Sequence, residues 1–98
     1  MTHYTLNGKR PVRCDDIHTW AMWYETADRR VAKTEIDGVA ISTVFLGLDH
    51  GFGGEVLLFE TMVFGGPYDG ATWRCETWPQ AEAQHEKVCQ LVVGVSEN

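Results

Sequence analysis

Two apolar runs occupy the middle of the chain, VAISTVFL at residues 39–46 and VLLFETMVF at residues 56–64, separated by the glycine-rich segment GLDHGFGGE. Inside these runs the polar residues are Ser42, Thr43, Glu60 and Thr61. Short apolar runs rich in β-branched and aromatic residues between turn signals read as buried strands. Residues 29–36 and 39–46 meet at Asp37-Gly38, a dipeptide that tolerates the positive φ angles of a tight hairpin. Thr72–Cys75 reads as a further short strand. At the N-terminus, HYTLNG and PVRC flank Asn7-Gly8 and read as a small hairpin. Asp15 and Asp16 then offer capping oxygens to a first helix of roughly three turns, in which Ile17, Trp20, Tyr24 and Ala27 recur at helical spacing. Thr77-Trp78-Pro79-Gln80 has the form of a capping box. It opens a second helix with Trp78, Ala81, His85, Val88 and Val92 on one face, and residues 95–98 are expected to fray.

The order β-β-α-β-β-β-β-α, with hairpin-length connections, favours antiparallel pairing over parallel crossovers. The expected fold is α+β, a single domain over residues 1–98. It is a mainly antiparallel sheet of about four to six strands with two helices packed on one face. Strand 39–46 is apolar on both faces, with Val39, Ile41 and Phe45 on one and Ala40, Val44 and Leu46 on the other. Helices about 10 Å wide can cover strands about 4.8 Å apart on one face only. The second face needs another cover, and a second copy of the chain is the simplest; Ile41 and Phe45 are read as facing it.

Composition bounds the function. The chain has 98 residues, 44% hydrophobic and 22% charged, which fits a globular domain rather than disorder. No segment approaches about 18 uninterrupted apolar residues, and MTHYTLNGKR lacks an apolar signal region, so a cytoplasmic protein with no membrane partner is expected. A net charge of −6 argues against coating duplex nucleic acid by phosphate neutralisation. A small anion remains accessible, because the cations cluster as Lys9, Arg10 and Arg13 and as Arg29, Arg30 and Lys33. These clusters also suit solvated strand edges and helix ends. Cys14, Cys75 and Cys89 are widely spaced without a CxxC pair, which supports neither a zinc site nor a disulfide framework.

The candidate chemistry sits in the central runs and their loops. Glu60 among Phe59, Met62, Val63 and Phe64 needs a partner or a ligand, because a buried unpaired carboxylate is costly. In a long hairpin Ser42 falls near Glu60, and Thr43 near Phe59 or Thr61. Such hydroxyls either close a polar patch that holds register or line a pocket with Glu60. Asp49 and His50 lie in a loop with neither a P-loop nor a GxGxxG pattern; they suit a backbone-driven turn, an acid–base pair or a metal contact. Tyr68 and Asp69 are possible contacts from the second glycine loop. His85 interrupts an apolar helix face and reads as a satisfied core histidine. The ligand-binding candidates are Arg29, Arg30, Ser42, Thr43, Asp49, His50, Glu60, Thr61, Tyr68 and Asp69; no catalytic residue, metal or cofactor is assigned.

The run STVFLGLDHGFGG…LLFETMVFGGPYDG, followed by TWPQAEAQHEKV, resembles a family of small proteins encoded by tailed bacteriophages and prophages. The resemblance covers residues 29–92, with FETMVFGG and TWxxAExxH as its markers. It implies a non-virion accessory protein acting in the cytoplasm of an infected bacterium, and it carries no catalytic assignment to transfer to residues of this chain. Compact oligomeric phage proteins of this size include sponges for nucleotide immune signals, of anti-CBASS or anti-Thoeris type. The expected function is therefore sequestration of a small anionic ligand, without turnover, by a homo-oligomer. The alternatives are a hydrolase or lyase using Glu60, His50 and Asp49, and an acidic protein that inhibits a host enzyme by direct binding.

Overall fold

A computed structural model describes residues 1–96. Strands β1 (Tyr4–Asn7) and β2 (Arg10–Arg13) form a separate hairpin, followed by α1 (Ile17–Thr26). Strands β3 (Arg30–Ile36), β4 (Val39–Phe45), β5 (Phe59–Phe64) and β6 (Thr72–Cys75) pair in sequence order as an antiparallel four-stranded sheet. Helix α2 (Trp78–Ser96) closes the chain and lies across one face of that sheet. The fold is α+β, as the patterning implies. Ser96 belongs to α2, and residues 97–98 of the expected fraying segment lie outside the described residues.

Local chemistry sets the element ends. Asp37 and Gly38 both have positive φ, 48° and 82°, and connect Ile36 to its cross-strand partner Val39. Two successive positive φ values give the turn the twist that a two-residue hairpin requires. In the first hairpin the turn falls one residue later than expected, on Gly8-Lys9, because Asn7 pairs with Arg10. Asp16 caps α1 by accepting from the His18 and Thr19 amides. The Thr77 box is complete: Gln80 N–H donates to Thr77 Oγ1 at 3.3 Å, and Gln80 Oε1 accepts from the Thr77 amide at 3.1 Å.

Strict alternation along β4 sends Val39, Ile41, Thr43 and Phe45 toward α2, and β5 does the same with Phe59, Thr61 and Val63. From α2, Ala81, His85, Val88 and Val92 meet them. Fully burying each large apolar side chain contributes roughly 1.5–3 kcal/mol. Ile41 and Phe45, expected to face a second copy, are wholly buried under this chain's own elements. The two sets of β4 residues are both apolar, but the bulkier one fills the layer beneath the helix.

The N-terminal segment packs differently. None of the first 38 residues is fully buried. Trp23 of α1 reaches the sheet edge-on against Phe45, with ring centroids 5.9 Å apart, while Tyr4 and Leu6 of β1 join the same cluster. The chain leaving β4 is tied back to this segment: Gly47 O accepts from the Tyr4 amide, and Asp49 N–H donates to Thr2 O. Ile17, expected on the inner face of α1, is 56% exposed.

Between α2 and the sheet runs a chain of polar groups, buried at Thr43, Thr61 and His85 and half-buried at its ends, Thr34 and Gln84. Gln84 Nε2 donates to Trp73 O at 3.1 Å and to Thr61 Oγ1 at 3.0 Å. Thr61 Oγ1 lies 2.7 Å from Thr43 Oγ1, which lies 2.7 Å from His85 Nδ1, and His85 Nε2 lies 2.9 Å from Thr34 Oγ1. Only an NH2 group can donate to the Trp73 carbonyl, so that carbonyl fixes the orientation of the Gln84 amide and makes Thr61 an acceptor from it. The Thr61 proton then goes to Thr43, the Thr43 proton to His85 Nδ1, and His85 donates from Nε2 to Thr34. The opposite sense would leave the Thr61 hydroxyl proton without an acceptor in this chain of groups. No buried side-chain nitrogen or oxygen among the described residues lacks a partner.

Burial pushes the His85 imidazole below its ordinary value of 6.5, because desolvation penalises the charged ring. The folded protein therefore resists a proton that the unfolded chain accepts. Stability is complete above about pH 6.5 and falls as pH drops through that value toward the folded one. Thermal melts of the wild type between about pH 7 and about pH 5 should show this decline, and His85→Gln should flatten it. Thr43→Val orphans both His85 Nδ1 and the Thr61 proton; it should cost about 1–3 kcal/mol in urea denaturation.

Candidate ligand face

The period-2 alternation that buries one side of the sheet exposes the other. Ala40, Ser42 and Val44 of β4 and Glu60, Met62 and Phe64 of β5 point away from α2, and Phe64 is 50% exposed. Register aligns them in rows. One row reads Lys33, Ser42, Met62, Thr72, and the next reads Arg30, Val44, Glu60, Arg74. Arg30 and Lys33 are three positions apart, a spacing that would put them on opposite faces of a regular strand. The irregularity between Arg30 and Ala32 resets the alternation and brings both cations to the open face.

Three of the expected ligand residues therefore share this surface: Arg30, Ser42 and Glu60. Glu60 Oε2 accepts from Arg74 Nε at 3.0 Å. The partner comes from β6, whereas the sequence pointed to Ser42. Val44, and not Ser42, stands opposite Glu60, because the first β4–β5 pair is Phe45 with Phe59. Glu60, Arg74, Met62, Thr72 and Leu57 surround an open depression of about 640 Å³. Among the described residues, ion pairs join only Arg74 to Glu60 and Arg13 to Asp15, so Arg30 and Lys33 face solvent with no paired carboxylate.

The other candidates are placed elsewhere. Thr43 and Thr61 belong to the buried polar chain under α2. Arg29 donates to Phe45 O at 3.0 Å and lies 3.9 Å over the Tyr24 ring, joining α1 to the end of the sheet. Asp49 Oδ1 accepts from the Gly51 and Leu57 amides at 2.8 and 3.2 Å and holds the glycine loop closed on itself. The loop passes so near itself that a Cβ on Gly51 would overlap the Glu55 carbonyl. His50 donates its amide to Leu57 O in the same loop. Asp69 Oδ1 accepts from the Gly65 amide, and Tyr68 packs against the Val39 cluster. Glu60, His50 and Asp49 are joined by no hydrogen bond, and the Asp49 carboxylate is already committed to backbone. Among the described residues no group of three His, Cys, Asp or Glu side chains is arranged to hold a metal ion.

Thr72 and Arg74 are the members of this face that patterning missed, while Lys33 belongs to a cation cluster of the sequence but has no place among the ligand candidates. Lys33 was legible: the Asp37-Gly38 turn by itself pairs Ile36 with Val39, and counting back along the ladder pairs Lys33 with Ser42. Arg74 depends on β5–β6 register, which no two-residue turn specifies. Among the described residues no helix is long and apolar enough to cross a membrane. No family model, curated protein or solved structure matches the chain.

Proposed function

We propose that this chain is an accessory protein of a tailed bacteriophage that captures a small anionic ligand of the nucleotide second-messenger class and holds it without turnover. The observation that carries this reading is the pair of unpaired cations, Arg30 and Lys33, that the β3 irregularity gathers beside Ser42 on a chain of net charge −6. Unpaired guanidinium and ammonium groups beside a hydroxyl match the oxygens of phosphate. Sequestration is favoured over catalysis because Asp49 serves the loop backbone, Glu60 serves Arg74, and among the described residues no hydrogen bond joins His50 to either carboxylate. The protein acts as a homo-oligomer in the cytoplasm of the infected cell, with the ligand between copies at the open sheet face. The half-buried Val44 and Met62 and the exposed Phe64 supply the apolar part of that contact.

Incubation with a panel of cyclic oligonucleotides and ADP-ribose derivatives, followed by heat denaturation, should release one of them chemically intact. The double variant Arg30→Glu, Lys33→Glu should lose capture while keeping the wild-type melting temperature. A chemically altered product would replace sequestration with turnover, and failure of every member of the panel to bind would remove the proposal. For assembly, Met62→Asp on the open face should leave the fold intact and reduce the mass in light scattering to that of a monomer, since a desolvated charge at an interface is costly. A wild-type protein that is already monomeric at micromolar concentration would exclude the oligomer.

A further inference from the structure

Two clusters of cations stand out along the chain, and the Arg30 and Lys33 surface draws only on the second. Of the first, Arg13 is held by Asp15 at 2.8 Å, at the far end of β2. Lys9 and Arg10 are exposed at the tip of the β1–β2 hairpin, and among the described residues neither forms an ion pair. The Gly8-Lys9 turn carries them to the start of α2, where Lys9 Nζ stands 5.7 Å from the centroid of the Trp78 ring. The ring quadrupole attracts an ammonium placed there, so the hairpin cations are drawn to an aromatic face.

Between the hairpin tip and α2 opens a cleft of about 540 Å³ with mostly apolar walls. Small-molecule sites have this character: roughly 300–1,000 Å³, apolar and aromatic in the main, with a few polar groups that fix orientation. Pro11, Trp78 and Pro79 supply the apolar surface, Lys9 and Arg10 bring positive charge from the hairpin, and Glu82 brings one carboxylate from the helix. Phe59 braces the indole edge to face, with ring centroids 6.1 Å apart, so Trp78 offers a fixed plane. Glu82 lies one turn beyond Trp78 on the same side of α2, and it too is exposed without an ion pair among the described residues. The backbone amides of the first turn do not define this cleft, because Thr77 and Gln80 already cap each other.

We infer that this cleft binds a small planar ligand that carries both an anionic group and an amino group, the chemistry of a mononucleotide with an amino-bearing base. The ring stacks on the braced indole of Trp78. Lys9 and Arg10 meet the anion, Arg10 through its planar fork of N–H donors, and Glu82 accepts from the amino group. The three contacts select together. A purely apolar ligand would leave two cations unanswered, a bare anion would leave the indole face wet, and a ligand with carboxylates at both ends would be repelled by Glu82. The sheet separates this cleft from Arg30 and Lys33, which lie on the face away from α2, and neither proposal depends on the other.

The test titrates the intact protein with adenosine monophosphate, inosine monophosphate, adenosine and inorganic phosphate, followed by amide and indole NMR. Adenosine monophosphate at millimolar concentration should shift the Trp78 indole N–H and the amides of Lys9, Arg10 and Glu82. Adenosine, which lacks the anion, and phosphate, which lacks the ring, should each bind about ten-fold or more weakly. Inosine monophosphate, with a carbonyl in place of the amino group, should also bind more weakly. Glu82→Gln, whose amide can donate as well as accept, should remove that difference. The double variant Lys9→Glu, Arg10→Glu, at two exposed positions, should keep the wild-type melting temperature and lose the preference for adenosine monophosphate over adenosine. Arg10→Gln alone, which leaves the Lys9 contact with Trp78 in place, should lose part of it. Failure of adenosine monophosphate to bind would overturn the inference, as would equal binding of bare phosphate or of inosine monophosphate. Shifts confined to Arg30, Lys33 and their neighbours would overturn it too, and would place the nucleotide on the open sheet face instead.

Discussion

The hydrogen bond between Thr43 and His85, at 2.7 Å in the middle of the layer between α2 and the sheet, is the contact on which the remaining structure depends. A histidine on the apolar face of a helix fits at one rotation and one height only, where an acceptor and a donor wait for its two nitrogens. Thr43 of β4 and Thr34 of β3 supply them. Thr61 of β5 and, through Gln84, the backbone of β6 continue the same chain of bonds. All four strands are thus keyed to α2 by polar contacts, while Phe45, Phe59, Ile41 and Val63 supply the burial that drives packing. Apolar packing alone tolerates a sliding helix; a half-satisfied polar chain in a dry layer does not.

Because α2 is held to one face, the opposite face is left to the surroundings. The Cα radius of gyration is 14.5 Å, against about 13 Å for a compact domain of this length, and the principal extents are 49 × 31 × 20 Å. The excess reflects the N-terminal hairpin and α1, which sit at the Phe45 end of the sheet and add no fully buried residue. Aromatic contacts fasten this segment: His3 on Trp20, Trp20 on Tyr24, and Arg29 over Tyr24. It extends the molecule without adding a layer, so the charged and apolar rows beyond β4 and β5 stay exposed.

One backbone irregularity has a chemical consequence out of proportion to its size. Without the shift between Arg30 and Ala32, Arg30 would turn to the helix side, where burying a guanidinium beside Phe45 would be costly. With it, two cations share one side of an edge strand, and the same shift makes that edge a poor template for further strands. The β6 edge, regular and bordered by α2, has the opposite character.

What the sequence determined by itself was local. The Asp37-Gly38 turn, the Asp16 and Thr77 caps and the buried face of α2 at Ala81, His85, Val88 and Val92 all follow from residues within a few positions of one another. Such features are set by dihedral preference, capping geometry and helical period, which need no knowledge of the fold. The tertiary structure decided which of two apolar sets on β4 would be buried, that Glu60 would meet Arg74, and that Thr34 and Thr43 would complete His85. Period-2 alternation separates side chains into two faces but does not say which face meets the helix, and the long connection between β4 and β5 leaves register free until side-chain bulk and polar satisfaction select it.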